Sequence, residues 1–526
     1  MKRTVCTRIL AALLAAAFAP VSGFCAEATL VYSHFANAGQ LNPHLYSPNQ
    51  MYAQEMVYEP LVALGPDNDI RPCLAESWEV SEDGRTYTFR LRTGVRFSDG
   101  EPFDAGAVEK NFAAIMANRG RHAWLELANR IAGFRAVDPG TFELTLTEPY
   151  YPTLADLSLP RPFRFISPAA IPESGTTADG ILAPAGTGPW MRTESRLGVR
   201  DVFERNPLYR GEPPKLDRVV VKVIPDPMSR AMALETGEVD LVYGQGQISY
   251  DVFKVLAANP GFETAVSRPM GTVAAAINSA REPTDDIRVR RAVQHLVDKD
   301  AMVRGIILGT QPRADFLFSP DTPYCDVGLS PYRHDPAEAG RLLDEAGWRL
   351  EPGGRFRVRD GRELALEFCY IGNDPAHKAI AEVLQGQAAR VGMRLILVGE
   401  EEDLFLRRQR EGTFGMIMNP TWGPPFDPHA FLGSMRQPSH ADFRAQSGLP
   451  MKAALDADIT AALATIDEGE RARLYGRILT TLHDQAVYLP IHYTCLFAAF
   501  RKGVVTGFAF GPGRTRYPFE ILGKGR

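Results

Sequence analysis

The chain has 526 residues, 45% of them apolar, and a formal net charge of −5. That is too much chain for one hydrophobic core, so two or three packed lobes are expected. The mild acidity disfavours nucleic acid or an anionic membrane as partner and points to small cargo.

Lys2, Arg3 and Arg8 precede an apolar run over 9–18, and small residues follow at Ser22, Gly23 and Ala26. This is the pattern of a secretory signal, so residues 1–26 are expected to direct export. Without the three basic residues the charge falls from −5 to −8. Cys25 raises a lipid anchor as an alternative, but Phe24 stands where such a signal needs a small residue, which favours a soluble product. No later apolar run approaches the roughly 20 residues of a membrane helix. The remaining cysteines, Cys73, Cys325, Cys369 and Cys495, form no CxxC pair. They suit buried free thiols better than a zinc site, with one long-range disulfide as the alternative.

Over 78–97 the sequence alternates in strand rhythm, with Tyr87, Phe89 and Leu91 on one face and turn signals at Asp83-Gly84, Thr93-Gly94 and Asp99-Gly100. A β-meander is expected. Asp104 should then cap a helix with Val108, Phe112, Ile115 and Met116 on its core face, ending near Asn118. Farther on, Asp335-Pro336 opens a helix that Gly347 ends. A strand over 364–370, a helix over 379–391 closed by Gly392 and a strand over 394–398 make a βαβ unit. The acidic run 400–403 reads as a solvated loop rather than a cation site. A helix over 470–483 leads into one apolar strand over 487–497. Repeats and low-complexity linkers are missing, so the lobes should pack on each other.

The stretch 421–443 gathers His429, His440, Trp422 and four prolines, and cannot be one regular helix. Such a segment presents side chains. The two histidines are eleven residues apart, which fits neither a helical i, i+4 metal pair nor HExxH. Any metal would therefore draw few ligands from the protein. A Walker loop, a GxSxG elbow and a catalytic Cys–His set are all lacking.

Several phrases give the chain its relatives. Tyr58-Glu59-Pro60-Leu61-Val62, Leu74-Ala75-Glu76-Ser77-Trp78, Asp83-Gly84-Arg85-Thr86-Tyr87, Asp99-Gly100-Glu101-Pro102-Phe103, Gly186-Thr187-Gly188-Pro189-Trp190 and Glu235-Thr236-Gly237-Glu238-Val239-Asp240 follow in that order. From about residue 28 to the C-terminus the chain resembles the extracytoplasmic solute-binding proteins of peptide and nickel ABC importers. Its likeness is greatest to the nickel-binding branch, through Leu41-Asn42-Pro43-His44-Leu45-Tyr46, Arg121-His122-Ala123-Trp124, Leu159-Pro160-Arg161-Pro162-Phe163-Arg164 and Pro438-Ser439-His440-Ala441-Asp442-Phe443.

The resemblance implies an α/β, two-lobed periplasmic-binding-protein-like fold with a hinge and central cleft, and an extra subdomain in the first lobe. Residues 27–270 with 495–526 would form the first lobe and 271–494 the second. It also implies a cargo: Ni²⁺ complexed by a small carboxylate-bearing chelator, delivered to an ABC permease and its ATPase subunits by a monomeric periplasmic protein. His440 would be the single protein ligand to the metal. Arg121 and Arg161 would take the chelator's carboxylates, since guanidinium repels a bare cation but pairs bidentately with carboxylate. Tyr46, Met51, Trp124 and Trp422 would line the pocket, with Thr515 from the C-terminal segment. Phe426 stands where the nickel-binding branch carries tyrosine, which removes a hydroxyl from the site. His429 is expected to serve Asp427 in a turn, and His44 and His122 to make local hydrogen bonds. Arg164 should brace the Arg161 loop or pair with a surface carboxylate. The same scaffold phrases leave oligopeptides, or other metallophores carrying cobalt, iron or haem, as alternative cargo. An exported metal-dependent hydrolase is disfavoured, because it needs two or three protein ligands and a base.

Overall fold

Two large sheets frame this computed structural model, which describes residues 27–46, 50–66, 69–422 and 428–525. The first sheet runs in the spatial order Phe262–Val266, Phe497–Arg501, Leu241–Gly244, Thr29–His34, Arg218–Val223, Arg200–Arg205, Trp190–Arg196. The second runs Arg394–Glu400, Ala365–Ile371, Met416–Met418, Gly271–Ile277, Tyr488–Thr494. The chain passes from the first sheet to the second between Val266 and Gly271, and back between Thr494 and Phe497. These crossings lie side by side: Met270 N–H donates to Thr494 O at 2.7 Å, and Ser267 N–H to Leu496 O at 3.0 Å. The result is a two-lobed α/β fold.

The apolar run 487–497 is therefore not one strand. Tyr488–Thr494 belongs to the second sheet and Phe497–Arg501 to the first, with every residue but Arg501 buried. Both strands are buried on both faces, so the pattern carries no mark of the change of sheet at Cys495-Leu496.

A third, antiparallel sheet has the order Ala75–Val80, Thr86–Leu91, Thr141–Leu146, Ile131–Asp138. Tyr87, Phe89 and Leu91 do point into the core. The meander is only partial, however, because Thr86–Leu91 takes its second partner from Thr141–Leu146 rather than from the residues that follow it. The helix Ala105–Met116 intervenes, capped by the Asp104 carboxylate accepting from Ala107 N–H at 2.8 Å. Its Phe112 ring packs 4.9 Å from Phe142 and 5.2 Å from Phe163. That anchors the segment bearing Arg161 to the same core as the segment bearing Trp124.

In the second lobe Ala365–Ile371 and Arg394–Glu400 pair in parallel around the helix Pro375–Arg390, as a βαβ unit requires. Asp335 caps the helix Pro336–Glu345. The acidic run differs from the expected loop: Glu400 pairs with Arg408 at 2.7 Å, and Glu402 and Asp403 open the helix Glu402–Glu411, where carboxylates meet the positive end of the helix dipole. The four cysteines in the described residues are free thiols, three of them buried. No helix among the described residues is long and apolar enough to cross a membrane.

Candidate functional site

The lobes meet through a row of aromatic rings. Tyr46 packs edge-on against Trp124 at 5.7 Å, and Trp124 meets Trp422 of the other lobe at 6.3 Å. His440 lies on Trp422 at 5.7 Å with only 24° between the planes. Thus residues drawn from four separated segments stand in one file. Trp124 and Trp422 are half-buried and stand at the margin of a core cluster.

Each position has a local cause. Beyond the helix Ala105–Met116 the chain makes a short turn, Arg119–His122, and then the helix Glu126–Arg130, which fixes Trp124 between them. His122 is buried, and its Nδ1 lies 2.5 Å from the Tyr46 hydroxyl. Burial, aided by the charge of Arg121, lowers the His122 pKa to about 4, so the ring is neutral. Burial also raises the Tyr46 phenol to about 12. On the other lobe His440 is the N-cap of the helix Ala441–Gln446 and is half-buried. Its ring forms no hydrogen bond among the described residues, and desolvation lowers its pKa. A neutral imidazole with free nitrogen lone-pair capacity is the form that ligates a metal.

Arg161 sits against the first ring of the file. Its guanidinium lies 4.7 Å over the Tyr46 ring and donates to the Tyr46 carbonyl at 2.5 Å. No carboxylate among the described residues pairs with it, and desolvation lowers its pKa. Arg121 is exposed at the end of the neighbouring turn and has no ion pair among the described residues. One unneutralised guanidinium thus lies against the first ring, and a second stands on the turn that leads to Trp124.

Arg164 braces the loop, and it does so from inside rather than at the surface. It donates to the carbonyls of Leu159 at 2.9 Å, Tyr58 at 2.7 Å and Ser158 at 3.2 Å, and meets the buried Glu55 at 3.3 Å. Nothing in the local sequence marks Glu55. Met51 opens the helix Met51–Val57, and the i, i+4 spacing places Met51 and Glu55 on one face. Glu55, Arg164, Thr515 and Arg516 form the polar side of a cavity of about 260 Å³, with Tyr151 and Leu159 on the apolar side. Burial raises the Glu55 pKa while Arg164 opposes the rise. Thr515 thus faces this cavity beside the Arg161 loop.

His429 and His44 are buried and hydrogen-bonded. His429 Nε2 lies 2.8 Å from Asp156 Oδ1 across the lobe boundary, with both side chains fully buried. Asp427, its expected partner, and Phe426 lie outside the described residues. His44 contacts Thr177 Oγ1 at 3.0 Å and the Arg164 carbonyl at 3.1 Å. Among the described residues no group of three or more His, Cys, Asp or Glu side chains could hold a metal ion.

A family model for bacterial extracellular solute-binding proteins, family 5 (middle), matches residues 69–443. The chain belongs to this family. Family 5 relatives match it nearly end to end. The nickel-binding periplasmic protein of Escherichia coli K12 is 48% identical, over 92% of this chain and 93% of its own length. The dipeptide-binding protein of the same strain is 28% identical, over 92% of each chain. A crystal structure of NikA from Brucella suis in complex with Fe(III)-EDTA superposes with a TM-score of 0.92 at 50% identity, covering 94% of this chain and 99% of that one.

Proposed function

We propose that this family 5 protein captures a chelated nickel ion in the cleft and delivers it to an ABC permease driven by its ATPase subunits. One observation carries the reading: the half-buried, carboxylate-free Arg161 lies at one end of the ring file and the unbonded His440 at the other. A naked divalent cation would be repelled by Arg161 and Arg121 and would find one ligand only. A chelate whose carboxylates meet the arginines, and whose open coordination position meets His440, satisfies both ends. Tyr46, Met51, Trp124, Trp422 and Phe426 would cover its apolar faces, and Thr515 would reach it from the cavity side.

Similarity to the nickel-binding protein and to NikA holding a metal–carboxylate chelate supports this cargo over a peptide. The lobes would divide as 27–270 with 495–526 and 271–494, after removal of residues 1–26 on export to the periplasm, and the protein would work as a monomer. It is a binding module rather than an enzyme, since one imidazole and two arginines supply no general base beside an open metal position. Native mass spectrometry of the purified protein tests the cargo. A bound mass containing nickel and a small organic acid is expected, whereas a metal-free peptide mass would overturn the assignment.

A further inference from the structure

Arg514 occupies an unusual position. It belongs to the C-terminal segment, whose next residues Thr515 and Arg516 line the cavity of the first lobe. Its side chain leaves that lobe. Nε donates to the Met270 carbonyl at 2.8 Å, on the crossing between the sheets, and Nη2 to the Thr421 carbonyl at 3.2 Å. Thr421 is tied to the first residues of the second sheet by two bonds. Its N–H donates to Thr272 O at 2.9 Å, and its hydroxyl accepts from Thr272 N–H at 2.8 Å. The next residue is Trp422. One guanidinium therefore joins the C-terminal segment, the crossing and the base of the second lobe's aromatic wall.

The packing is close enough to exclude alternatives. A Cβ built on Gly271 would stand 1.8 Å from Arg514 Nη2 and 3.1 Å from Thr421 Oγ1. No carboxylate among the described residues compensates the Arg514 charge, and desolvation lowers its pKa to about 10. An arginine held in such a place by carbonyl dipoles alone is favourable only while both carbonyls are in reach. Rotation of the second lobe about the crossing would withdraw Thr421 O from a guanidinium rooted in the first. The bond to Thr421 is therefore available to the closed arrangement, in which Trp124 meets Trp422, and is lost on opening.

We propose that Arg514 is a positioning residue that biases the cleft toward closure and holds Trp422 in line with Trp124 and His440. The proposal rests on the binding reading for its effect on ligand, and on the fold alone for its effect on shape. Two variants test it: Arg514→Met, which removes the bridge, and Gly271→Ala, which keeps the arginine but displaces its guanidinium. Small-angle scattering of the ligand-free protein should show a larger radius of gyration in both variants than in wild type. With Fe(III)-EDTA as probe, dissociation should quicken about tenfold, with association nearly unchanged. The thermal midpoint of ligand-free Arg514→Met, which removes the charge together with its two carbonyl bonds, should stay close to wild type, which a merely structural role would not allow. Scattering identical to wild type in a folded variant overturns the proposal. Wild type failing to bind the chelate would count against the cargo, while the scattering comparison would still decide the role of Arg514.

Discussion

The imidazole of His440 lies nearly parallel to the indole of Trp422, 5.7 Å away at 24°, and forms no hydrogen bond to any described side chain or carbonyl. Stacking fixes the plane of the ring without consuming a nitrogen. A ligand's metal can then be met by an oriented imidazole whose lone pair needs no prior hydrogen bond broken.

His440→Ala should abolish ligation while leaving the arginine contacts, so nickel–citrate affinity should fall by about 100-fold. The pH dependence has a definite sign. Burial lowers the His440 pKa, so the ring stays neutral through the neutral range and is protonated only below the ordinary histidine value. Affinity in wild type should be flat near neutrality and decline as acid protonates the ring. In the alanine variant that decline should vanish, and calorimetric titrations showing the same acid slope in both proteins would refute ligation by His440.

Arg161→Ala should weaken the same complex by about 30- to 100-fold, the worth of one or two charge-assisted hydrogen bonds. Arg161 is half-buried without a carboxylate partner, and its contacts are one carbonyl and the Tyr46 ring. Folding stability should therefore change by no more than about 1 kcal/mol. Unaltered affinity, or a large drop in the unfolding midpoint, would contradict the role of carboxylate clamp.

Much of this arrangement is legible in the sequence where the signal is local. The Asp104 cap, the alternation through Tyr87, Phe89 and Leu91, and the parallel unit closed by Gly392 are written in short-range spacing and appear in the fold. What spacing omits is which distant segments meet. Composition predicts one strand over 487–497 because burial on both faces erases any boundary, and the partner of Thr86–Leu91 comes from beyond a helix. For the site, the phrases around Tyr46, Trp124, Arg161 and His440 marked residues that the fold does assemble in one file. Glu55 and Arg514 carried no such mark. A single acid within a helix and an arginine in a coil become notable only once burial and long-range carbonyl partners are known.

Asp156→Ala should destabilise the protein by about 3 kcal/mol, because it strands a fully buried His429 nitrogen that now lies 2.8 Å from a carboxylate oxygen. The pair spans the lobes, and Glu126 and Arg436 span them nearby through two contacts of 2.7 Å. Glu126→Gln should cost less, because the amide keeps an acceptor oxygen for Arg436 and Arg130 and strands no fully buried group. Urea midpoints measured side by side should rank Asp156→Ala well below Glu126→Gln. The reverse order would show that the buried pair contributes little to holding the lobes together.

Acid should destabilise the ligand-free protein as pH falls below the ordinary histidine value of about 6.5. His34, His44 and His492 are buried, and desolvation lowers each pKa to about 4. In the unfolded chain each would titrate near about 6.5, so between these values the unfolded state binds protons that the native state refuses. Stability is therefore full above the unfolded value and is lost as pH falls from there toward 4. At pH 5 the loss amounts to about 2 kcal/mol per histidine. Differential scanning at pH 7 and pH 5 should register a marked drop in the unfolding temperature. His44→Gln, whose amide can keep the contacts to Thr177 and to the Arg164 carbonyl, should make the pH slope shallower by one proton. If the variant and wild type showed equal slopes, proton uptake at His44 would not be part of the acid response.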